Sequence, residues 1–133
     1  MLRDARVGRL ATADLHGRPL VVPVCFVLDG GAIYSAIDAK PKRDPSRPLR
    51  RVRNVLQNPQ AALVVDEYDE DWTRLRYVIV EGTATLLPDG AELEQAIDAL
   101  RDKYPQYRTM GLSRAAGTMI RLSADRLVPW SWS

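Results

Sequence analysis

The sequence predicts a mostly β (α+β) fold, an antiparallel barrel with two or more helices packed on it. Three observations carry that expectation. Short runs rich in β-branched and apolar residues recur between turns that contain glycine or proline. Only two stretches, one beginning at Leu49 and one over 93–104, space their apolar residues as a helix does. Strands and helices do not alternate regularly, so a doubly wound parallel sheet is not expected. With 133 residues, 46% hydrophobic and 27% charged, the chain suits a single domain over 1–133. A chain of about this size buries roughly 68–70% of its unfolded surface, enough to fold without disulfides or a structural metal.

The elements follow in order. Segments 7–13 and 19–28 read as strands, and Asp14, His16 and Gly17 between them supply turn chemistry. Asp29, Gly30 and Gly31 make a second tight turn into a strand at 32–36, because glycine reaches the positive φ that such turns need. Pro41, Pro45 and Pro48 make 37–48 a loop. Ser46 and Pro48 suit the start of a helix on which Leu49, Val52 and Leu56 share a face, and Asn58 with Pro59 stops it. Segments 61–66 and 75–87 are the next strands, with Gly82 as a bulge or a point of close approach. An acidic loop carrying Asp66, Glu67, Asp69, Glu70 and Asp71, followed by Trp72, joins them. Beyond Pro88, Asp89 and Gly90, the residues Leu93, Ala96, Ile97, Leu100 and Tyr104 form the clearest helical stripe, ending at Pro105. A polar stretch with Gly111 and Gly117 leads to strands at 118–122 and 128–132.

Composition excludes several function classes. One cysteine, Cys25, cannot form an internal disulfide, and with the single histidine His16 it cannot build a zinc cage, so no metal site is expected. Cys25, between Val24 and Phe26, reads as a buried small hydrophobe. No apolar run approaches the roughly 18 residues needed to span a bilayer. Arg3, Asp4, Arg6 and Arg9 stand where a signal peptide needs apolar residues, so a cytoplasmic location is expected. Hydrolase nucleophile motifs and glycine-rich phosphate loops are absent.

The net charge of +2 hides a segregated distribution. Lys40, Lys42, Arg43, Arg47, Arg50, Arg51 and Arg53 are opposed within 40–53 only by Asp44. Ammonium and guanidinium groups bind phosphate or carboxylate, and a helix start adds free N–H donors. A solvated charged face fits the same residues. A barrel that binds single-stranded nucleic acid is a competing class, but 40–53 contains no aromatic residue for base stacking. Trp72, Trp130 and Trp132 suit a core or a subunit interface better than a cofactor cover.

In order along nearly the whole chain, VGRLATADLHGRPLVVPVCFVLDGGAIYSAID, KPKR, LRRVRNVLQNPQAALVVDEYDEDW and YVIVEGTATLL resemble the pyridoxamine 5'-phosphate oxidase-like, FMN-binding split β-barrel superfamily, within it the branch that uses the deazaflavin F420. The resemblance implies an antiparallel split barrel, a homodimer with cofactor sites between subunits, and an anionic cofactor tail held by basic residues after the third strand. Carried onto this sequence, it assigns Ser35, Lys40, Lys42, Arg50 and Arg51 to that tail, with Asn54 supporting them. Val22, Pro23 and Val24 would present backbone to the ring. The implied activity is F420-dependent hydride transfer to a small organic acceptor, with an FMN-binding reductase or oxidase as the alternative. A cofactor carrier without turnover is a further one. Family members commonly have a shorter basic motif than KPKRDPSRPLRR, and the Arg and His pattern that reads pyridoxamine phosphate is missing before RLVP.

Overall fold

The computed structural model describes residues 1–37 and 48–132. Seven strands are β1 (Gly8–Ala13), β2 (Pro19–Val24), β3 (Val27–Asp29), β4 (Ala32–Ala36), β5 (Gln60–Glu67), β6 (Arg76–Leu86) and β7 (Met119–Ser131). Helix α1 (Arg50–Gln57) lies between β4 and β5, and α2 (Ala91–Lys103) and α3 (Gln106–Met110) lie between β6 and β7. The strands form one antiparallel sheet in the order β2-β1-β5-β6-β7-β4-β3, curled into a half-barrel. No helix among the described residues is long and apolar enough to cross a membrane.

That order forces the curl. β2 and β3 are the two edges of the sheet, yet only Cys25 and Phe26 separate them in the chain. Val24 and Val27 are three residues apart, a reach of at most about 11 Å, far less than the width of a seven-stranded sheet, so the edges must come together, and a flat sheet of this order is impossible. The meeting edges are not paired with each other by ladder hydrogen bonds. The barrel is therefore split at Cys25–Phe26.

Alternation along the strands builds two cores from the same sheet. Leu10, Ile33, Leu63, Val80, Ile120 and Leu122 fill the interior with Phe26 and with Val55 of α1. Tyr34, Ala36 and Met119 face the other way and meet Leu93, Ala96, Ile97 and Leu100 of α2. The expected helical stripe is thus the one that docks. On α1 the buried residues include Val52 and Val55, whereas Leu56 is 69% exposed. The Leu49–Val52–Leu56 face is corrected accordingly: Leu49 holds the cap position, and its carbonyl accepts from the Val52 and Arg53 amides at 3.0 and 3.1 Å.

Gly82 behaves as the sequence anticipates. The β6–β7 register shifts between Glu81 and Gly82, and a Cβ at Gly82 would lie 1.8 Å from the Ser123 carbonyl oxygen. The bulge lets β7 continue through its exposed polar stretch as one strand, Met119–Ser131, rather than two short ones. Helix α3 also lies beyond the point where the helical stripe stops, its first turn closed by an Arg108 amide to Pro105 carbonyl bond of 3.0 Å.

Side chains of Tyr104, at the end of α2, and of Ser35, in β4, complete the split. The Phe26 amide donates to the Tyr104 hydroxyl at 3.1 Å, and that hydroxyl lies 3.0 Å from both the Phe26 and the Arg6 carbonyls. Ser35 donates from Oγ to the Cys25 carbonyl at 2.9 Å. Burial pushes the Tyr104 phenol above its ordinary pKa, so the hydroxyl keeps its proton. At the other end of α2, Glu92 accepts from the Tyr34 hydroxyl at 2.7 Å and from Arg121 Nη1 at 2.8 Å. Burial, then the hydrogen bond to Glu92, pushes Tyr34 up to about 12.

Tyr104→Phe leaves the buried Phe26 amide without its acceptor, and the expected loss is about 1–3 kcal/mol in urea denaturation; an unchanged midpoint would show that water closes the split equally well. A second expectation concerns acid. The Tyr34 hydrogen bond, then Arg121, holds the Glu92 carboxyl below its ordinary pKa. Its contribution is therefore present above the unfolded value of about 4.3 and disappears as pH falls through the lower folded value. Tyr34→Phe should flatten the fall of Tm between about pH 5 and pH 3, measured by thermal melts across that window.

Candidate functional site

Three cavities surround the split and α1. The first, about 220 Å³, sits at the split itself and is lined by Val7, Pro23, Val24, Cys25, Ser35, Ala36 and Arg51. Val7, Pro23, Val24 and Ala36 are its apolar residues, and Cys25, Ser35 and Arg51 its polar ones. The position follows from topology: β2 ends here with no neighbour on its outer side, β4 supplies Ser35 and Ala36, and the first turn of α1 supplies Arg51.

The second cavity, about 290 Å³, lies between α1 and the β1–β2 turn. Arg50, Arg53, Asn54 and Gln57 fall on one helical face by their spacing and meet Asp14, His16 and Arg18 there. Asp14 is already engaged: it accepts from the backbone amides of His16 and Arg18 at 2.8 and 2.9 Å and pairs with Arg18 Nε at 2.8 Å. Those bonds, led by the Arg18 amide, hold its carboxyl below the ordinary range. The Leu15 amide donates to Gln57 Oε1 at 3.2 Å, which fixes the turn against the helix.

Against the sequence expectations, Pro23, Val24, Ser35 and Arg51 come together at the split. Val22 is half-buried opposite Leu10 in the ladder and packs on the interior core, so it does not line that cavity. Arg50 is turned to the second cavity, with Nη2 3.5 Å from the Pro19 carbonyl. Asn54 is 2% exposed and donates to Thr12 Oγ1 at 3.1 Å, which ties α1 to β1. Lys40 and Lys42 lie outside the described residues. Cys25 is corrected: it is exposed at the split and not buried, because β2 turns Leu20, Val22 and Val24 inward and Cys25 falls on the outward side of the same alternation.

Arg18 and Arg53 join Arg50 without having been singled out for the site. The spacing of Arg50 and Arg53 on a predicted helix is a usable signal for Arg53, whereas Arg18 is brought in only by the hairpin register. A third cavity, about 470 Å³, lies beside the split on its α3 side, lined by Arg6, Cys25, Tyr104 to Tyr107 and Met110. Nothing in the sequence pairs Arg6 with a helix end 97 residues away, yet Arg6 Nη1 donates to the Lys103 carbonyl at 2.7 Å.

Comparison with known proteins agrees with this architecture. A 5a,11a-dehydrotetracycline/5a,11a-dehydrooxytetracycline reductase of Streptomyces rimosus is 35% identical over 130 residues, which cover 97% of this chain and 77% of the relative. An FAD-binding protein of Mesorhizobium loti has the same fold at 22% identity, with a TM-score of 0.71 over 94% of this chain and 83% of its own. HutZ, a heme storage protein of Vibrio cholerae, has it at 21% identity, with a TM-score of 0.70 over 92% and 84%. The family model for pyridoxamine 5'-phosphate oxidase matches residues 1–125. A match over that span, on a sheet split where β2 runs into β3, places the chain in the pyridoxamine 5'-phosphate oxidase family.

Proposed function

We propose that this chain is an oxidoreductase that holds reduced F420 at the split and serves hydride transfer to a small organic acceptor. The observation that carries the reading is the split cavity, where the open outer edge of β2 at Pro23 and Val24, Cys25 beyond it and Arg51 line one recess. A flavin-type group fits such a lining: a planar ring meets apolar walls and backbone, and its anionic end meets a guanidinium. The reductase relative supports the reaction class, and the FAD-binding neighbour supports the ring type.

Helix α1 adds an electrostatic argument. Its first turn contains no acidic residue and begins with Arg50 and Arg51. Cations at the positive end of a helix dipole cost about 0.3–1 kcal/mol each where exposed. An anion bound there reverses the sign of that interaction. Because Arg50 and Arg51 point into different cavities, the helix offers two cationic sites: Arg51 at the split, and Arg18, Arg50 and Arg53 on the other side. FMN carries one phosphate and F420 a longer anionic tail, and the two-sided arrangement favours F420.

When bound, the reduced cofactor supplies the hydride. The chain supplies the rest: Arg51 binds and orients the anionic end, Pro23, Val24 and Ala36 exclude water along the ring, and Ser35 keeps the Cys25 carbonyl fixed at the edge. We also propose a homodimer, as the resemblance implies. Trp130 and Trp132, 41% and 49% exposed, fall on one side at the end of the last strand, where Trp130 stacks on Tyr77 with ring centroids 5.4 Å apart, an apolar strip of the kind that marks an interface.

Parallel titration with F420, FMN and heme, read by thermal shift and by ligand fluorescence or absorbance, tests this reading. F420 should bind most tightly. Arg51→Ala should weaken F420 and FMN by roughly ten- to a hundredfold, the size of a charge-assisted hydrogen bond. Arg50→Ala with Arg53→Ala should weaken F420 and leave FMN unchanged. Tight FMN binding without any response to F420 would make the protein an FMN enzyme, and heme uptake alone would overturn the reading. Trp130→Ser with Trp132→Ser should convert the dimer to a monomer in sedimentation velocity.

A further inference from the structure

We propose that the 470 Å³ cavity beside the split is a separate acceptor pocket, built for a planar conjugated ring that carries a carboxylate or an equivalent oxyanion. The word acceptor rests on the cofactor reading above; the ring-anion specificity does not.

Size and walls come first. The cavity has about twice the volume of the recess at the split, within the roughly 300–1,000 Å³ of small-molecule sites. Tyr104 and Tyr107 meet edge to face, ring centroids 5.7 Å apart and planes at 77°, so the wall presents both an aromatic face and an edge. Met110, 59% exposed, closes one side with a polarizable side chain that adapts to flat ligands.

Charge selects the ligand's polar end. The Tyr104 hydroxyl is committed to the split backbone, which leaves Arg6 and Gln106 to recognise polar groups. The Arg6 guanidinium lies 5.4 Å from the Tyr104 ring centroid, and only one nitrogen is used on the Lys103 carbonyl. Five N–H donors in a planar fork suit a carboxylate at the edge of a ring. Lys103 adds a second positive charge nearby, its Nζ 4.0 Å from the Phe26 ring centroid and 5.4 Å from that of Tyr104. That nitrogen is buried and has no hydrogen-bond acceptor. Burial, then repulsion from Arg6, holds the Lys103 ammonium below its ordinary pKa, with Asp4 acting in the opposite sense. Two cations packed against aromatic rings repel each other, and an anion between them and solvent relieves that repulsion.

Position ties the pocket to the chemistry. Cys25 lines this cavity and the split recess alike. A ring bound against Tyr104 and Tyr107 therefore lies next to any group held along Pro23 to Cys25, as an acceptor must. The cavity between α1 and the β1–β2 turn shares no lining residue with the split recess.

The test uses the full chain without cofactor and two probes of equal shape, 2-naphthoate and the neutral 2-naphthamide, titrated by probe fluorescence and by thermal shift. Naphthoate should bind about tenfold more tightly than naphthamide. Arg6→Gln should remove that preference while leaving naphthamide binding intact, and Arg6→Lys should restore part of it. Met110→Trp, a change at an exposed position, should fill the pocket and block both probes without altering the F420 or FMN titration. Equal affinity for the two probes, binding indifferent to Met110→Trp, or competition between naphthoate and FMN would overturn the proposal. Failure of F420 and FMN to bind, with the naphthoate results as expected, would sink the cofactor reading alone and leave the ring-anion pocket standing.

Discussion

Everything in this structure hangs on a two-residue crossing between the outermost strands of one sheet. Cys25 and Phe26 carry the chain from the β2 edge to the β3 edge, so the sheet has to curl until those edges touch. Edge strands normally leave a row of N–H and C=O groups to solvent. Here the edges are drawn together and partly buried, and each unpaired buried group would cost about 1–3 kcal/mol. The Tyr104 hydroxyl and Ser35 Oγ satisfy the Phe26 and Cys25 groups. Helix α2 is the strut that brings Tyr104 there. Its register is fixed by Leu93, Ala96, Ile97 and Leu100 against the sheet and by Glu92 between Tyr34 and Arg121.

The same crossing makes the recesses. Where ladder hydrogen bonds stop, side chains and backbone stand apart, and Cys25 is left between two cavities instead of inside a core. Helix α1 then sorts charge around the opening. A 100° step separates successive helical residues, so neighbours in sequence such as Arg50 and Arg51 serve different sides, while Arg50 and Arg53 serve one. Asn54, buried on the bond to Thr12, holds that orientation. The basic segment is therefore not a uniform patch; its described part sends Arg51 to one side of the helix and Arg50 with Arg53 to the other.

Local chemistry was readable because it is local. Gly17, Gly30 and Gly31 adopt positive φ of 78°, 59° and 83° at the turns where the sequence places them. Gly82 marks the bulge, and the stripe from Leu93 to Tyr104 docks as a helix should. Misreadings share one cause: they depend on what lies across the fold. Cys25 between two apolar neighbours looks buried until the packing of β2 shows Val22 and Val24 taking the inward positions, which leaves Cys25 outward. Leu56 looks like a core residue until Val55 is seen to take the inward position. The middle of β7 is too polar to announce a strand, and β6 holds it in register regardless. Arg18 and Arg6 reach their cavities from hairpin and amino-terminal positions that no helical or strand period predicts.

Bracing and recognition fall to different residues. Tyr104, Ser35 and Asn54 are 7%, 5% and 2% exposed, and their polar atoms are used up within the fold. Arg6, Arg18, Arg50 and Arg53 sit at cavity walls that open to solvent, where a substitution alters charge without creating a void. A split barrel built this way can change its ligand by changing arginines while its closure stays intact. The bracing residues still line cavities, Ser35 the first, Asn54 the second and Tyr104 the third, and at Tyr104 the hydroxyl that closes the barrel belongs to a wall of the 470 Å³ cavity. Any change that tunes the pocket at that position must also loosen the split, so specificity is free to vary at Arg6, Gln106 and Met110 and is constrained at Tyr104.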